Sequence, residues 1–421
     1  MKQLQKKGSL YHWVIVFACL LLSAASVGML SYFNALFLSP VAQSLQVKRS
    51  ALVLYSTCST ATTMLIIPFV GRLYRRFPMR PLILLGAVLG AGAHLCYSMS
   101  RSVYGFYAGG VLAGLAACLF GSVPITLLLS NWFADKRGLV TGLAFTGSGL
   151  ASSLLSPTVS RLIQSVGWRG TYRLIAAAIL LTALLALVLL RPTPQSVGLL
   201  PYGAAAPSRR EEDTEATGFT QAQTLRLPSY WLFALAIFFL GFATMGTQQH
   251  LVAYWQAAGV EQALAVKMYA LVLMAGVCGK VLVGILYDHF SAALASILCC
   301  GVAIAAFLSL LLCTSSPGIL IPALLFGLTT SLQVILPAYL TQKFFGTRDF
   351  VSNVGLLTTI LYLGVAVGAP VSALIYDSTG FYRPAWVLHA LLAAAALAAI
   401  LLADRLSMGA FRRILNCGRG K

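Results

Sequence analysis

The stretch ALVLMAGVCGKVLVGILY, residues 270–287, decides the fold. It ends an apolar segment, 264–287, that satisfies the roughly 20 mostly apolar residues a bilayer crossing needs. Lys280 stands well inside it. A cation at that depth costs roughly 2.5–3.5 kcal/mol on insertion scales, so something must offset it. The simplest candidate is an anion that arrives and leaves, so the chain reads as a polytopic carrier of a small organic anion.

Eleven further segments have the same character. The expected crossings are 12–38, 51–73, 81–99, 103–130, 138–164 and 171–190, then 229–255, 264–287, 291–313, 317–341, 350–376 and 381–403. The composition agrees: 59% of residues are hydrophobic, 9% are charged and the mean hydropathy is +0.86, which excludes a soluble globule. Lys280 is the only charge well inside any of the twelve. The start of the chain, 1–26, has the basic-then-apolar order of a secretory signal. Its apolar run continues to Leu38, well past a signal core of about 7–15 residues, so it reads as an uncleaved first crossing.

A formal net charge of +19 is compatible with nucleic-acid binding, but its placement argues against that. With the N-terminus inside, 20 Lys/Arg fall in the tails and even-numbered connections and 8 in or beside the odd-numbered ones. This is the positive-inside bias that orients membrane proteins, and anionic lipid is partner enough for it. The expected partners are therefore lipid and a small substrate, with no nucleic acid and no second subunit. Eight of the nine cysteines lie in crossings and read as small buried hydrophobes; Cys299-Cys300 lack metal-ligand spacing. Nothing calls for a metal, a cofactor or a catalytic residue.

The chain is internally duplicated. A shift of 213 residues, without gaps, aligns Gly28 with Gly241, Gly71 with Gly284, Gly105 with Gly318, Gly114 with Gly327, Gly142 with Gly355 and Gly167 with Gly380. It also aligns Pro124 with Pro337, Pro157 with Pro370 and Tyr74 with Tyr287. Six crossings return a chain to its starting side, so the repeats have the same orientation. The expected fold is an all-α polytopic membrane protein, with twelve transmembrane helices in two parallel pseudo-symmetric six-helix bundles. The bundles are residues 1–190 and 229–421, the second with a cytoplasmic tail. Between them 191–228, with Pro192, Pro194, Pro201 and Pro207 followed by the charged cluster 209–213, reads as a hydrophilic cytoplasmic linker with little structure. Glycines four apart, Gly138/Gly142 and Gly364/Gly368, read as close helix packing that can also slide during transport.

Twelve crossings in two parallel halves resemble the major facilitator superfamily. The run Asn131-Trp132-Phe133-Ala134-Asp135-Lys136-Arg137-Gly138-Leu139, followed by Gly142, Ala144, Gly147 and Gly149, resembles the fifth-span signature of monocarboxylate porters and oxalate/formate antiporters. The linker start Arg191-Pro192 with Gly198-Leu199 and Pro201-Tyr202-Gly203, and His250-Leu251-Val252-Ala253-Tyr254, are similar to bacterial members of that group. The resemblance implies a central cation in span eight, four residues before Gly284; that cation is Lys280, where Arg is usual. Oxalate/formate antiporters hold a second cation where this chain has Leu361, so one cation in place of two implies a monocarboxylate. The acidic first-span signature of animal monocarboxylate porters is not evident around His12-Trp13.

Tyr32 and Asn34 in span one, Gln248, Gln249 and His250 in span seven, Gln333 in span ten and Tyr362 in span eleven are polar groups in spans the resemblance implies line a cavity. Such groups are either satisfied structurally or face water and substrate. His94 and His389 fall in peripheral spans and read as structural. No Asp or Glu lies deep in a span, so a carboxylate proton relay is not expected. Coupling is either proton symport, through His250, Lys280 or the substrate acid, or anion exchange.

At the cytoplasmic ends the 213 shift pairs Arg75 with Asp288 and Lys136 with Asp349, opposite in sign in the two halves. If, as the resemblance implies, these loops meet across the bundles, Arg75–Asp349 and Asp288–Lys136 form an inner gate. Asp349 is also well placed for the dipole of the helix it begins. The whole reads as a cell-membrane carrier of a small monocarboxylate such as pyruvate, lactate or formate, working by alternating access. Its rivals are an exporter of larger amphipathic compounds, a transport-inactive sensor and an intramembrane enzyme. The last is disfavoured by the scarcity of acids in the spans.

Overall fold

The computed structural model describes residues 2–134, 137–203, 218–312, 318–346 and 348–418. Among these, twelve helical stretches are long and apolar enough to cross a membrane. Spans one to six are Tyr11–Leu45, Arg49–Arg76, Met79–Met99, Val103–Trp132, Leu139–Ser165 and Gly167–Leu189. Spans seven to twelve are Pro228–Gln248, Gln262–His289, Ala292–Leu312, Leu320–Phe345, Ser352–Thr379 and Arg383–Ser407. The described residues contain no β-strand beyond two isolated bridges. The chain is a multi-pass all-helical membrane protein.

It forms two compact units. Unit 1 is Met1–Ser208 together with Gln262–Leu273, and unit 2 is Arg209–Glu261 together with Met274–Lys421. The duplication reappears in the packing within each. A Cβ added to Gly28 would lie 3.0 Å from both the Ser148 carbonyl oxygen and Ser152 Oγ. One added to Gly241 would lie 2.7 Å from the Leu361 carbonyl oxygen and 3.5 Å from Val365 Cγ2. Leu361 and Val365 stand the same 213 residues beyond Ser148 and Ser152, so spans one and five cross as spans seven and eleven do. Gly167 and Gly380 each follow a long helix with left-handed φ, 75° and 78°, a conformation glycine adopts without Cβ strain.

Among the described residues, only the first span of each three-helix group is interrupted. Span one passes through a π-helical segment, Ala24–Tyr32, and restarts as α-helix at Asn34. Span four breaks at Gly121, between Val103–Phe120 and Ser122–Trp132, and a Cβ there would run into the Ala117 carbonyl. Span seven ends at Gln248 and resumes as Leu251–Ala257; span ten breaks between Leu320–Thr329 and Leu332–Phe345. A broken helix at membrane depth frees backbone groups that lipid cannot satisfy. Such breaks survive only where protein or a water-filled cavity covers them.

The described ends of the linker, 191–203 and 218–228, carry more structure than their composition suggested. At one end Tyr202 N donates to the Trp132 carbonyl at 2.8 Å and Ala134 N to the Tyr202 carbonyl at 2.9 Å. Trp132 Nε1 donates to the Arg191 carbonyl at 2.8 Å, and His12 Nε2 donates to the Leu200 carbonyl at 3.0 Å. At the other end Phe219 N donates to the Phe345 carbonyl at 3.0 Å, and Thr220 and Gln223 form a reciprocal capping box. The bridges fall at Phe133 and Gly346, again 213 apart. The polar composition suggested little structure; burial of Phe219 (6% exposed) and the His12–Tyr202 ring contact dock the ends. Residues 204–217 lie outside the described part.

Asp349 takes part in this docking. Its carboxylate accepts from Gln221 N at 2.7 Å and makes no hydrogen bond at the start of its own helix. It therefore serves the linker while standing, as expected, at the N-terminus of its own helix. Losing a charged acceptor of this kind costs about 1.5–3 kcal/mol. Asp349→Ala is expected to free the linker end, seen as proteolytic cleavage near residues 218–225 at least several-fold faster than in the native protein.

Candidate functional site

Lys280 lies nine residues before the end of the helix Gln262–His289, or about 13 Å at 1.5 Å per residue. The helix is longer than the sequence suggested, so the ammonium is further from its linker-side end and less able to snorkel. It is half-buried and makes no hydrogen bond or ion pair among the described residues. Its neighbours explain its position. A Cβ on Gly276 would lie 2.5 Å from Thr330 Oγ1, and one on Gly279 would lie 2.9 Å from the Leu328 carbonyl. These two glycines let span eight settle against the break in span ten, and Lys280 is the next residue along.

Gln333 sits in the first turn beyond that break and is half-buried. Tyr362, also half-buried, lies twelve residues into Phe350–Thr379. Both are about 18 Å from the linker-side ends of their helices, within about one turn of the depth of Lys280. Leu361, beside Tyr362, is 7% exposed and directs Cδ1 at Gly241 of span seven. Leu361 thus packs on span seven.

Gln249 and His250 occupy a different level. They fall at the break in span seven, about 31 Å along from Pro228, far beyond the depth of Lys280. His250 is 0% exposed. Its Nε2 is 2.9 Å from the Ala369 carbonyl, which can only accept, so Nε2 carries the proton. Nδ1 then accepts from the Tyr382 hydroxyl at 3.1 Å. His250 and Gln249 therefore stand at a different depth from Lys280. His250 is anchored at the remote end of unit 2, and beside it the Gln249 side-chain nitrogen is buried without a hydrogen-bond partner among the described residues. The break, which no hydropathy pattern shows, is the reason.

His389 holds Thr247 Oγ1 at 2.9 Å and Ser372 Oγ at 3.2 Å; His94 holds the Gly90 carbonyl at 3.0 Å. Both are buried. In unit 1, Tyr32 ends the π-helical segment and Asn34 begins the next helix, each half-buried. The Tyr269 hydroxyl donates to the Tyr32 carbonyl at 2.9 Å, satisfying a group at the break.

The expected gate residues are placed as follows. Arg75 and Asp288 are exposed in the last turns of spans two and eight, Asp349 is held to the linker, and Lys136 lies outside the described residues. Near these ends Gly71 and Gly142 of unit 1, and their equivalents Gly284 and Gly355 of unit 2, would each place a Cβ where nothing stands within 4 Å. Gly364 and Gly368 behave in the opposite way: a Cβ on either would run into the Phe238 or Phe242 carbonyl.

Residues 16–364 match the sequence profile of the Major Facilitator Superfamily. Among known relatives, "Monocarboxylate transporter 13" of Rattus norvegicus is 25% identical over 384 residues, covering 89% of this chain and 85% of its own. "Monocarboxylate transporter 11" of Homo sapiens is 26% identical over 421 residues, covering 96% and 84%. The fold is similar to that of a bacterial homologue of the human lysosomal transporter Spinster, solved in inward-facing occupied and unoccupied conformations. The TM-scores are 0.64 and 0.66 at 15% and 16% identity, over 96% of this chain.

Proposed function

Because the chain belongs to the Major Facilitator Superfamily, and so is a transporter, we propose that it carries a small organic monocarboxylate of the pyruvate, lactate or formate type by alternating access. The carrying observation is Lys280, a half-buried ammonium inside a span, with no internal partner among the described residues. Such a charge is tolerable when a substrate supplies the counter-ion. A single compact ammonium matches one carboxylate, and the leucine at 361 disfavours a dicarboxylate. The relatives named as monocarboxylate transporters support the same class. Gln333 and Tyr362, at a similar depth, are assigned to substrate contact; Tyr32 and Asn34, on the broken first span, are assigned to the path.

The placement of Lys and Arg supports a cell-membrane protein with both termini and the linker in the cytoplasm. Charge balance leaves a proton accompanying the anion or a second anion in exchange. The test is counterflow of labelled pyruvate, lactate and formate in proteoliposomes. At least one is expected to accumulate against unlabelled anion inside; none doing so overturns the proposal. An imposed pH gradient then drives uptake if a proton travels too, and does not if exchange is obligatory.

The inner gate is a second part of the proposal. Arg75→Asp is expected to cut transport several-fold and added Asp349→Arg to restore it. Absence of rescue removes that pair and leaves Asp349 as a linker anchor alone.

A further inference from the structure

Unit 2 has a cavity that the transport reading leaves unused. It lies at the end remote from the linker, with a volume of about 640 Å³, lined by Tyr254, Tyr376, Phe381, Tyr382 and Arg383 with small residues between them. That size suits a small organic ligand; pockets for such ligands run to roughly 300–1,000 Å³. Its walls are aromatic and preformed. Tyr376 and Tyr382 stack at 4.4 Å and 25°, and Tyr254 meets Tyr382 edge-on at 6.0 Å. The lip is tied down as well: Thr379 Oγ1 donates to the Ile375 carbonyl at 2.7 Å and accepts from Phe381 N at 3.3 Å.

Arg383 is the one charged side chain in this lining. It is exposed, and among the described residues its guanidinium makes no hydrogen bond or ion pair. The duplicated half shows the same turn filled. Trp168, which the 213 shift sets opposite Phe381, is 7% exposed, and the Arg169 guanidinium lies 4.1 Å from its ring centroid. Arg169 is committed further, donating to the Ser100 carbonyl at 3.1 Å. In unit 2 Phe381 is instead 68% exposed, and the cation one turn position on is uncommitted. One copy of the turn packs on itself, and the other is open.

We propose that this cavity binds a planar aromatic monocarboxylate, its carboxylate on Arg383 and its ring against Phe381 and Tyr376. A guanidinium presents a flat two-pronged donor edge that fits a carboxylate, and aromatic walls favour a flat apolar body. Lys280 offers neither feature, so the two sites select different acids. The site also touches the interior, because Tyr382 lines it and donates to His250. The inference stands independently of which anion Lys280 carries.

The probe is 2-naphthoate, titrated by its fluorescence onto the full-length protein in phosphatidylcholine nanodiscs. Saturable binding is expected for the native protein and for Lys280→Gln alike. Arg383→Gln is expected to weaken it about tenfold or more, Arg383→Lys less, and Phe381→Ala at least threefold; Phe381 is exposed, so its loss spares the packing. Failure of the native protein to bind overturns the proposal, as does equal binding by Arg383→Gln. Loss in Lys280→Gln would put the probe at the transport site. Loss of native binding when phosphatidylglycerol is added would make the site a lipid-headgroup contact. Either result ends the assignment.

Discussion

Lys280→Gln is expected to abolish carboxylate counterflow while leaving the protein folded. The two readouts move in opposite directions because the same charge has two effects. Glutamine has nearly the same helix propensity and a similar length, so Gln262–His289 keeps its packing. Removing an ammonium from a span relieves part of its roughly 2.5–3.5 kcal/mol insertion cost, the amide keeping the remainder, so thermal stability stays equal or rises. For the substrate the sign reverses. A charge-assisted hydrogen bond is worth about 1.5–3 kcal/mol, which at 1.4 kcal/mol per decade is a loss of roughly 10- to 150-fold in apparent affinity. Lys280→Arg keeps the charge and is expected to retain measurable transport, with altered preference because the guanidinium is broader and forked. Undiminished counterflow in Lys280→Gln, with pyruvate, lactate and formate all tried, would remove the anion site.

The second large effect is a contrast between glycines. In a helix interior, glycine to alanine ordinarily stabilises by roughly 0.5–1 kcal/mol by limiting the unfolded chain. Gly71→Ala and Gly284→Ala should show this gain, since nothing stands within 4 Å of either added methyl. Gly364→Ala and Gly368→Ala should show a loss. Their methyls would press on the Phe238 and Phe242 carbonyls, backbone that cannot rotate away, and overpacking costs typically 1–3 kcal/mol each. The double variant is expected to yield little folded protein. The measurement is the apparent melting temperature in detergent. A fall for Gly284→Ala comparable to that for Gly368→Ala would contradict the packing. Gly284→Leu is expected to stay folded yet lose transport if this face meets a neighbour only at another stage of the cycle.

This contrast also marks where sequence reasoning reached its limit. All six aligned glycine pairs looked alike as letters, and Gly138/Gly142 looked like Gly364/Gly368. Spacing identifies a small-residue face but not whether the neighbour is present. Gly364 and Gly368 are filled and Gly142 is open, a fact about the crossing helix and not about the glycine. Asp349 is similar: its place before a helix was legible, but its carboxylate turns to Gln221, more than a hundred residues away in the chain. His250 was singled out as a polar residue in a cavity-lining span; the partners that seal it, Ala369 and Tyr382, come from later helices.

Read alone, the sequence determined the twelve crossings, the duplication, the bias of basic charge and the one cation buried in a span. Each of these is a sum or an interval along the chain. Transfer of about twenty side chains into lipid depends on their composition, whatever they later touch. The breaks in spans one, four, seven and ten, the separation in depth between Lys280 and His250, the docked linker ends and the open aromatic cavity were decided by tertiary structure. A break in a helix moves only a few backbone hydrogen bonds, which leaves mean hydropathy unchanged. What makes it tolerable is the neighbouring helix that covers it, and that neighbour is chosen by three-dimensional packing.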